Sequence, residues 1–285
     1  KEELGLNDSL PVQFKNYLKD LTKGNLGKSL RTHQPVTEDL KTFIPPTLEL
    51  VLLAFFIAVI IGIPLGIYSA KMKDQLLDHI SRLFSIGSVS LPTFWVALFF
   101  QLIFYRMLGI FPLGGRISTE TTILYDLPRV TGLLILDCIL TGEWVILKDA
   151  LWHIILPCIT IALYPIGLVA RMTRSALLEI LNEDYITAAR SYGLDEKLVL
   201  WKYALKNTLG STAIVLTLSL GYTLVNTFLV ETIYSWPGLG NYVATSVVTL
   251  DYPSIMGVTI FSAASYIGLN LIADIIIAMD PRIRL

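Results

Sequence analysis

Five stretches of this chain are almost empty of charge, and each is about as long as a membrane is thick. Residues 47–68 hold one charge, Glu49, and residues 83–105 and 208–230 hold none. Residues 150–170 hold none either, although His153 lies among them, and residues 255–279 hold only Asp274. At about 1.5 Å rise per residue, such a stretch spans a hydrocarbon layer of roughly 30 Å as a helix. Core helices of soluble proteins rarely stay apolar on every side for that length. The pattern predicts an all-α, polytopic membrane protein. Composition alone would not have separated this from a large apolar soluble domain: 54% of the 285 residues are hydrophobic and 16% charged, with a mean hydropathy of +0.63. The formal net charge of -1 excludes a basic nucleic-acid-binding chain, an acidic tail and a disordered segment. Two cysteines exclude a disulfide framework.

Orientation follows from the basic residues. Segments 71–82, 171–207 and 280–285 are about twice as dense in Lys and Arg as segments 1–46, 106–149 and 231–254, which places the first set inside. The C-terminus is then cytoplasmic, and residues 1–46 form an extracytoplasmic segment ahead of a transmembrane domain over 47–285. An amphipathic helix is expected around Val12 to Leu21. An extracytoplasmic start needs something upstream to carry it across, so a further helix before Lys1 is expected, giving six spans. Pro64, Pro92, Pro157 and Pro165 fall inside the windows. Packed transmembrane bundles tolerate such prolines as kinks because neighbours re-satisfy the freed carbonyls.

The longest inside loop, 182–207, reads as helix, glycine corner, helix. Asn182 is a good N-cap, with Glu183 and Asp184 at the positive end of the dipole. Gly193 stands where a left-handed residue stops a helix. Asp195 and Glu196 can open a second helix, to which Leu198, Trp201 and Leu205 give an apolar face. Ala188 and Ala189 leave one side of the first helix flat enough for close approach by a partner. An amphipathic hairpin lying on the membrane and a docking site fit these residues equally well.

Thr187-Ala188-Ala189, three residues, then Gly193 resembles the EAA loop of ABC importer permeases, with Thr187 where that motif has Glu. The surrounding Glu183-Asp184-Tyr185 and Ala189-Arg190-Ser191-Tyr192-Gly193-Leu194 resemble the B-type permease subunit of dipeptide and oligopeptide ABC importers. So do Ser235-Trp236-Pro237-Gly238-Leu239-Gly240, Asp251-Tyr252-Pro253, His153-Ile154-Ile155-Leu156-Pro157 and the ending Asp280-Pro281-Arg282-Ile283-Arg284. Near the start, Leu4-Gly5-Leu6, Gly24-Asn25-Leu26-Gly27-Lys28-Ser29 and Gln34-Pro35-Val36 continue the likeness. Gly210-Ser211 departs from it, standing where the family usually has Leu-Pro.

The resemblance implies a type I importer permease fold in the plasma (inner) membrane of a prokaryote. It implies a second, paralogous permease, two ATPase subunits that hold ATP and Mg, and an extracytoplasmic solute-binding protein that delivers substrate. This chain would then hold no cofactor and perform no catalysis. Glu183, Asp184, Tyr185, Thr187, Ala188, Ala189, Arg190, Gly193 and Leu194 are implied to form the contact with an ATPase. The substrate class is implied to be di- or oligopeptides, with nickel chelates, glutathione or oligosaccharides carried by some relatives.

Other features carry two readings each. Ser219, Tyr222, Thr223 and Asn226, and Ser262, Tyr266, Asn270 and Asp274, form polar stripes that either line a pathway or bond neighbouring helices. Trp236, Pro237, Gly238 and Gly240 form either an outer gate or an interfacial anchor. Glu49 sits near the outer end of its window, where it can reach the interface. Gly27-Lys28-Ser29 lacks the earlier glycine of a phosphate-binding loop, since Thr22 stands there. His33, His79 and His153 are scattered, so no metal site is expected, and His153 reads as a packing residue. Cys138 and Cys158 read as free thiols. An ion-driven secondary transporter would place acids near the midplane; a membrane-embedded enzyme would need a motif that is not present.

Overall fold

The computed structural model describes residues 9–279, and these are helical, with one isolated antiparallel bridge, Lys28 to Pro35. Helix α1 (Leu10–Thr22) is amphipathic, as its sequence requires, and buries none of its residues. Helix α2 (Val36–Lys71) packs along α7 (Trp144–Ile180), and the pair forms the axis of the molecule. Helices α3 (Leu76–Ser90) and α10 (Leu205–Ile233) lie against α7, and α12 (Tyr252–Met279) lies against α10. The endings at Leu4-Gly5-Leu6 and 280–285 lie outside the described residues.

Small residues determine how closely α2 and α7 approach. Ala54, Ala58, Gly62, Gly66 and Ala70 recur every fourth position on α2 and are all buried. A Cβ on Gly66 would stand 2.6 Å from the Ala170 carbonyl oxygen and 2.7 Å from Thr173 Cβ, so only glycine fits there. Helices in lipid gain little from burying apolar surface against each other and associate through this kind of close contact.

The helices depart from the charge-free windows in three places. The first span begins at Val36, not 47, because a helix can carry Glu38, Asp39 and Lys41 on its solvated first turns and can absorb Pro45 and Pro46. The 83–105 window is not one rod. Leu91 takes the extended conformation (ψ 131) that a following proline favours. The chain therefore bends by 104° between α3 and α4 (Thr93–Phe100), which continues as a π-helical stretch over Gln101–Met107. Four further helices or helix segments, Val36–Lys71, Trp144–Ile180, Thr212–Ile233 and Tyr252–Ile275, are long and apolar enough to cross a membrane; the bent pair is a fifth candidate. Third, the 182–207 segment does not end in a loop. After α8 (Asp184–Ser191), a short turn of helix α9 (Glu196–Leu198) passes through a π-helical stretch (Val199–Ala204) directly into α10, which runs unbroken past Gly210-Ser211.

Between α4 and α7, helices α5 (Thr119–Leu124) and α6 (Leu134–Thr141) form a small cap at one end of the bundle. Asp137 anchors it: its carboxylate accepts from the backbone N–H groups of Val130, Thr131 and Gly132 and from the Thr131 hydroxyl. Burial raises its pKa, but these four donors outweigh that and hold the carboxyl below its ordinary range. The cap is tied to α2 by a buried ion pair, Arg116 Nη2 to Glu49 Oε2 at 2.6 Å, while Glu49 Oε1 accepts from Ile135 N at 2.7 Å. Glu49 is 5% exposed, so it does not reach toward the interface.

Candidate functional site

Three groups of residues can be placed in this frame: the α8 corner, the turn after α10 and the polar stripes.

The α8 corner starts one residue later than its sequence suggests. Glu183 is the N-cap, and the Asn182 side chain instead donates back to the Leu178 carbonyl, closing the end of α7. The helix stops at Gly193, whose φ of +75 is the left-handed conformation that glycine adopts at least cost. Gly193 N donates to Arg190 O at 2.9 Å and Leu194 N to Ala189 O at 3.3 Å, the paired bonds of a Schellman stop. A Cβ on Gly193 would meet nothing within 4 Å, so backbone conformation, not space, selects glycine here.

The two alanines do not share a side. Ala189 is buried with Ile186, against Ile67, Ala70 and Leu177 on α2 and α7 and Val199, Leu200 and Ala204 beyond the corner. Ala188 faces out, with Tyr185, Thr187, Arg190 and Tyr192. Of the apolar face expected from Leu198, Trp201 and Leu205, Leu205 packs against the same cluster and the rest is displaced. Leu198 and Trp201 are exposed, while Val199, Leu200 and Ala204 turn inward, because a π-helical stretch adds a residue per turn and shifts the phase. Arg190 and Glu196 pair across the corner, Nη2 to Oε1 at 2.8 Å, and the Arg190 guanidinium holds the Glu196 carboxyl below its ordinary range. Asn207 Nδ2 donates to the Tyr185 hydroxyl at 2.5 Å, which ties α8 to the root of α10. The corner therefore has a built inner face and a free outer one. Tyr192, 85% exposed, is the most exposed large side chain on the outer face, ahead of Tyr185, and the sequence alone did not single it out.

The turn after α10 is buried. Trp236 is 1% exposed and its Nε1–H donates to the Pro46 carbonyl at 2.9 Å, which overturns the interfacial-anchor reading. Glu231, which the charge count left just outside a window, is fully buried in a span-length helix and accepts from Gly240 N at 2.5 Å. Gly238 packs against Glu231 and Thr47, and Gly240 against the backbone of Phe228. Helix α11 (Leu239–Val248) follows, and Leu239 N donates to Thr47 Oγ1. Pro237 lines a cleft of about 680 Å³ with Lys41, Pro45, Arg116 and Arg129.

Two early and late motifs meet. Asp251 accepts from the Ser29 hydroxyl (2.5 Å), Leu30 N (3.0 Å) and the Ser254 hydroxyl (2.7 Å), and Gly27 packs on Pro253. Burial raises the Asp251 pKa, but these donors hold its carboxyl below the ordinary range. Nearby, the Tyr242 hydroxyl donates to Asp39, and its ring stacks on Phe43 at 4.5 Å. The glycine-rich segment is thus a latch onto the α11–α12 turn, with Ser29 committed to Asp251.

The polar stripes separate. On α10, the Ser219, Thr223 and Asn226 side chains bond to carbonyls of their own helix. Tyr222 stacks on Tyr164 at 4.6 Å, and Tyr222, Thr223 and Asn226 border a narrow groove with Thr93 and Ile161. On α12, Ser262 Oγ and Asn270 Oδ1 are buried without a partner among the described residues, Tyr266 packs by Gly221, and Asp274 is exposed. Asp274 makes no hydrogen bond to a neighbouring helix among the described residues, contrary to the packing reading. His153 is buried and its Nδ1 lies 2.9 Å from the Asp149 carbonyl. Cys138 and Cys158 are buried and free.

Residues 62–285 match the family described as the binding-protein-dependent transport system inner membrane component. A probable D,D-dipeptide transport system permease protein of Escherichia coli (strain K12) is 44% identical, over 99% of this chain and 83% of that protein. A dipeptide transport system permease protein of Alkalihalophilus pseudofirmus is 38% identical, over 100% of this chain and 84% of its own length. Among solved structures, a methionine ABC transporter in inward-facing conformations matches with a TM-score of 0.54 at 15% identity, over 81% of this chain and 93% of that one. That likeness concerns the fold.

Proposed function

Since this chain belongs to the family of binding-protein-dependent transport system inner membrane components, and to its dipeptide and oligopeptide permease B branch, we propose that it forms, with a second permease, the membrane pathway of an ABC importer for di- or oligopeptides. Two ATPase subunits drive the importer from the cytoplasmic side, and an extracytoplasmic binding protein delivers substrate. The chain itself makes and breaks no bonds. The C-terminus and the α8 corner lie on the cytoplasmic side, where basic residues are densest.

The observation that carries this reading is the two-sided build of α8. Its inner face joins α2, α7 and the root of α10 in one apolar cluster, while its outer face is exposed among the described residues. A partner that moves α8 therefore moves the spans directly. ATP-driven closure of the ATPase pair would be transmitted through this contact, and the pathway would alternate between outward and inward access.

The peptide substrate is supported by the names of the two relatives. The complete importer, reconstituted in vesicles with its binding protein, should take up a dipeptide only with ATP inside. Uptake driven by an ion gradient in the absence of ATPase subunits would instead favour a secondary transporter.

A further inference from the structure

A second cleft, of about 210 Å³, opens between α3 and the last third of α7, the stretch that leads to α8. Ser81, Arg82, Ser85, Arg171, Arg174 and Ser175 form its polar wall. Charge there is unbalanced. Arg174 is held by Asp78, Nε to Oδ1 at 2.6 Å and Nη2 to Oδ2 at 2.8 Å. Arg82 lies 3.8 Å from the same carboxylate and touches His79 Nδ1 at 2.6 Å. Arg171 has no ion pair among the described residues. Asp78, with Asp74 at longer range, thus faces the guanidinium groups of Arg174 and Arg82, and Arg171 adds a third to the cleft wall.

Ser81 and Ser85, 4% and 3% exposed as whole residues, line the cleft beside the guanidinium groups. Two donors and an uncompensated guanidinium around one small cleft suit a group with several anionic oxygens. The flank of α3 beside the cleft is apolar and open: Ile80 is 57% exposed, Leu83 72% and Ile86 57%.

We propose that this cleft binds the phosphate of an anionic phospholipid headgroup, with the acyl chains lying along α3. The phosphate could in principle come from solution as well as from lipid; the open apolar flank favours lipid, and basic pockets between spans at the cytoplasmic face recruit such headgroups. This site is separate from the transport reading and stands or falls without it.

Native mass spectrometry of the full-length protein in equimolar phosphatidylglycerol and phosphatidylcholine micelles tests the proposal. Phosphatidylglycerol should be retained in preference. Arg171→Gln, at an exposed position with no partner to lose, should reduce that preference about fivefold, and Ser85→Ala should reduce it further. Equal retention of the two lipids by the unaltered protein would overturn the proposal, as would a preference that neither variant changes. Inorganic phosphate that stabilises the protein in phosphatidylcholine micelles, without any preference for phosphatidylglycerol, would overturn the lipid assignment.

Discussion

Single residues decide the local geometry at four places. At Gly193, a β-branched side chain in the left-handed region costs on the order of 1–2 kcal/mol or more, whereas asparagine tolerates it better. Gly193→Val is therefore expected to lower ATP-driven uptake strongly and to release ATPase activity from its substrate dependence, while Gly193→Asn retains most of both. Paired uptake and ATPase assays on the two variants would check this, and normal behaviour of the valine variant would count against the corner. At Glu49, removal of one partner of a buried pair leaves Arg116 uncompensated. Glu49→Gln should cost about 3 kcal/mol, read as a lower thermal midpoint of the purified protein. At Asp251 and Asp137, folded carboxyl pKa values lie below their ordinary ones. Each contributes stability that is present above the unfolded value of about 3.9 and is lost as pH falls through the depressed folded value. Thermal midpoints should drop below about pH 4, and Asp251→Asn should flatten that drop while lowering the midpoint at pH 7.

Elements were read unevenly from the sequence, and the reasons are physical. Four helices of span length were legible, and the bent α3–α4 pair as a fifth candidate, because lipid forbids uncompensated charge over a fixed length. Their ends were not, because Glu38, Asp39 and Lys41 say nothing against a helix that continues outside the hydrocarbon. The every-fourth series of small residues from Ala54 to Ala70 is a plain sequence signal of close helix contact that a charge pattern does not carry. Gly66→Leu should separate α2 from α7 and destabilise the fold more than Gly87→Leu, whose Cβ would meet nothing within 4 Å. Comparison of the two melts checks that ranking. The π-helical stretch over Val199–Ala204 has no sequence signature of its own, and it moved the buried face from Leu198 and Trp201 to Val199 and Leu200. Glu231 and the Ser29–Asp251 latch were also out of reach, because burial of a polar side chain depends on partners far away in the chain.

At the scale of the whole molecule, the chain is an axis of α2 and α7 that connects a capped, latched end to an uncovered corner. The cap and latch are fixed by buried carboxylates, whereas the α8 corner is fixed on one face only. That asymmetry is what the proposed coupling at α8 requires: a rigid end and a corner open to a partner. Asn226→Leu, beside the groove at Tyr222, should weaken uptake if α10 lines the pathway; unchanged uptake and affinity would leave that stripe a packing feature. The central claim is that the outer face of α8 seats on an ATPase subunit. Photo-crosslinking from Ala188 and from Tyr192 in the assembled importer tests it most directly. The account predicts that both positions capture the ATPase and that exposed Leu83 on α3 does not. Crosslinks absent from Ala188 and Tyr192, with the ATPase captured from elsewhere on the chain, would contradict it.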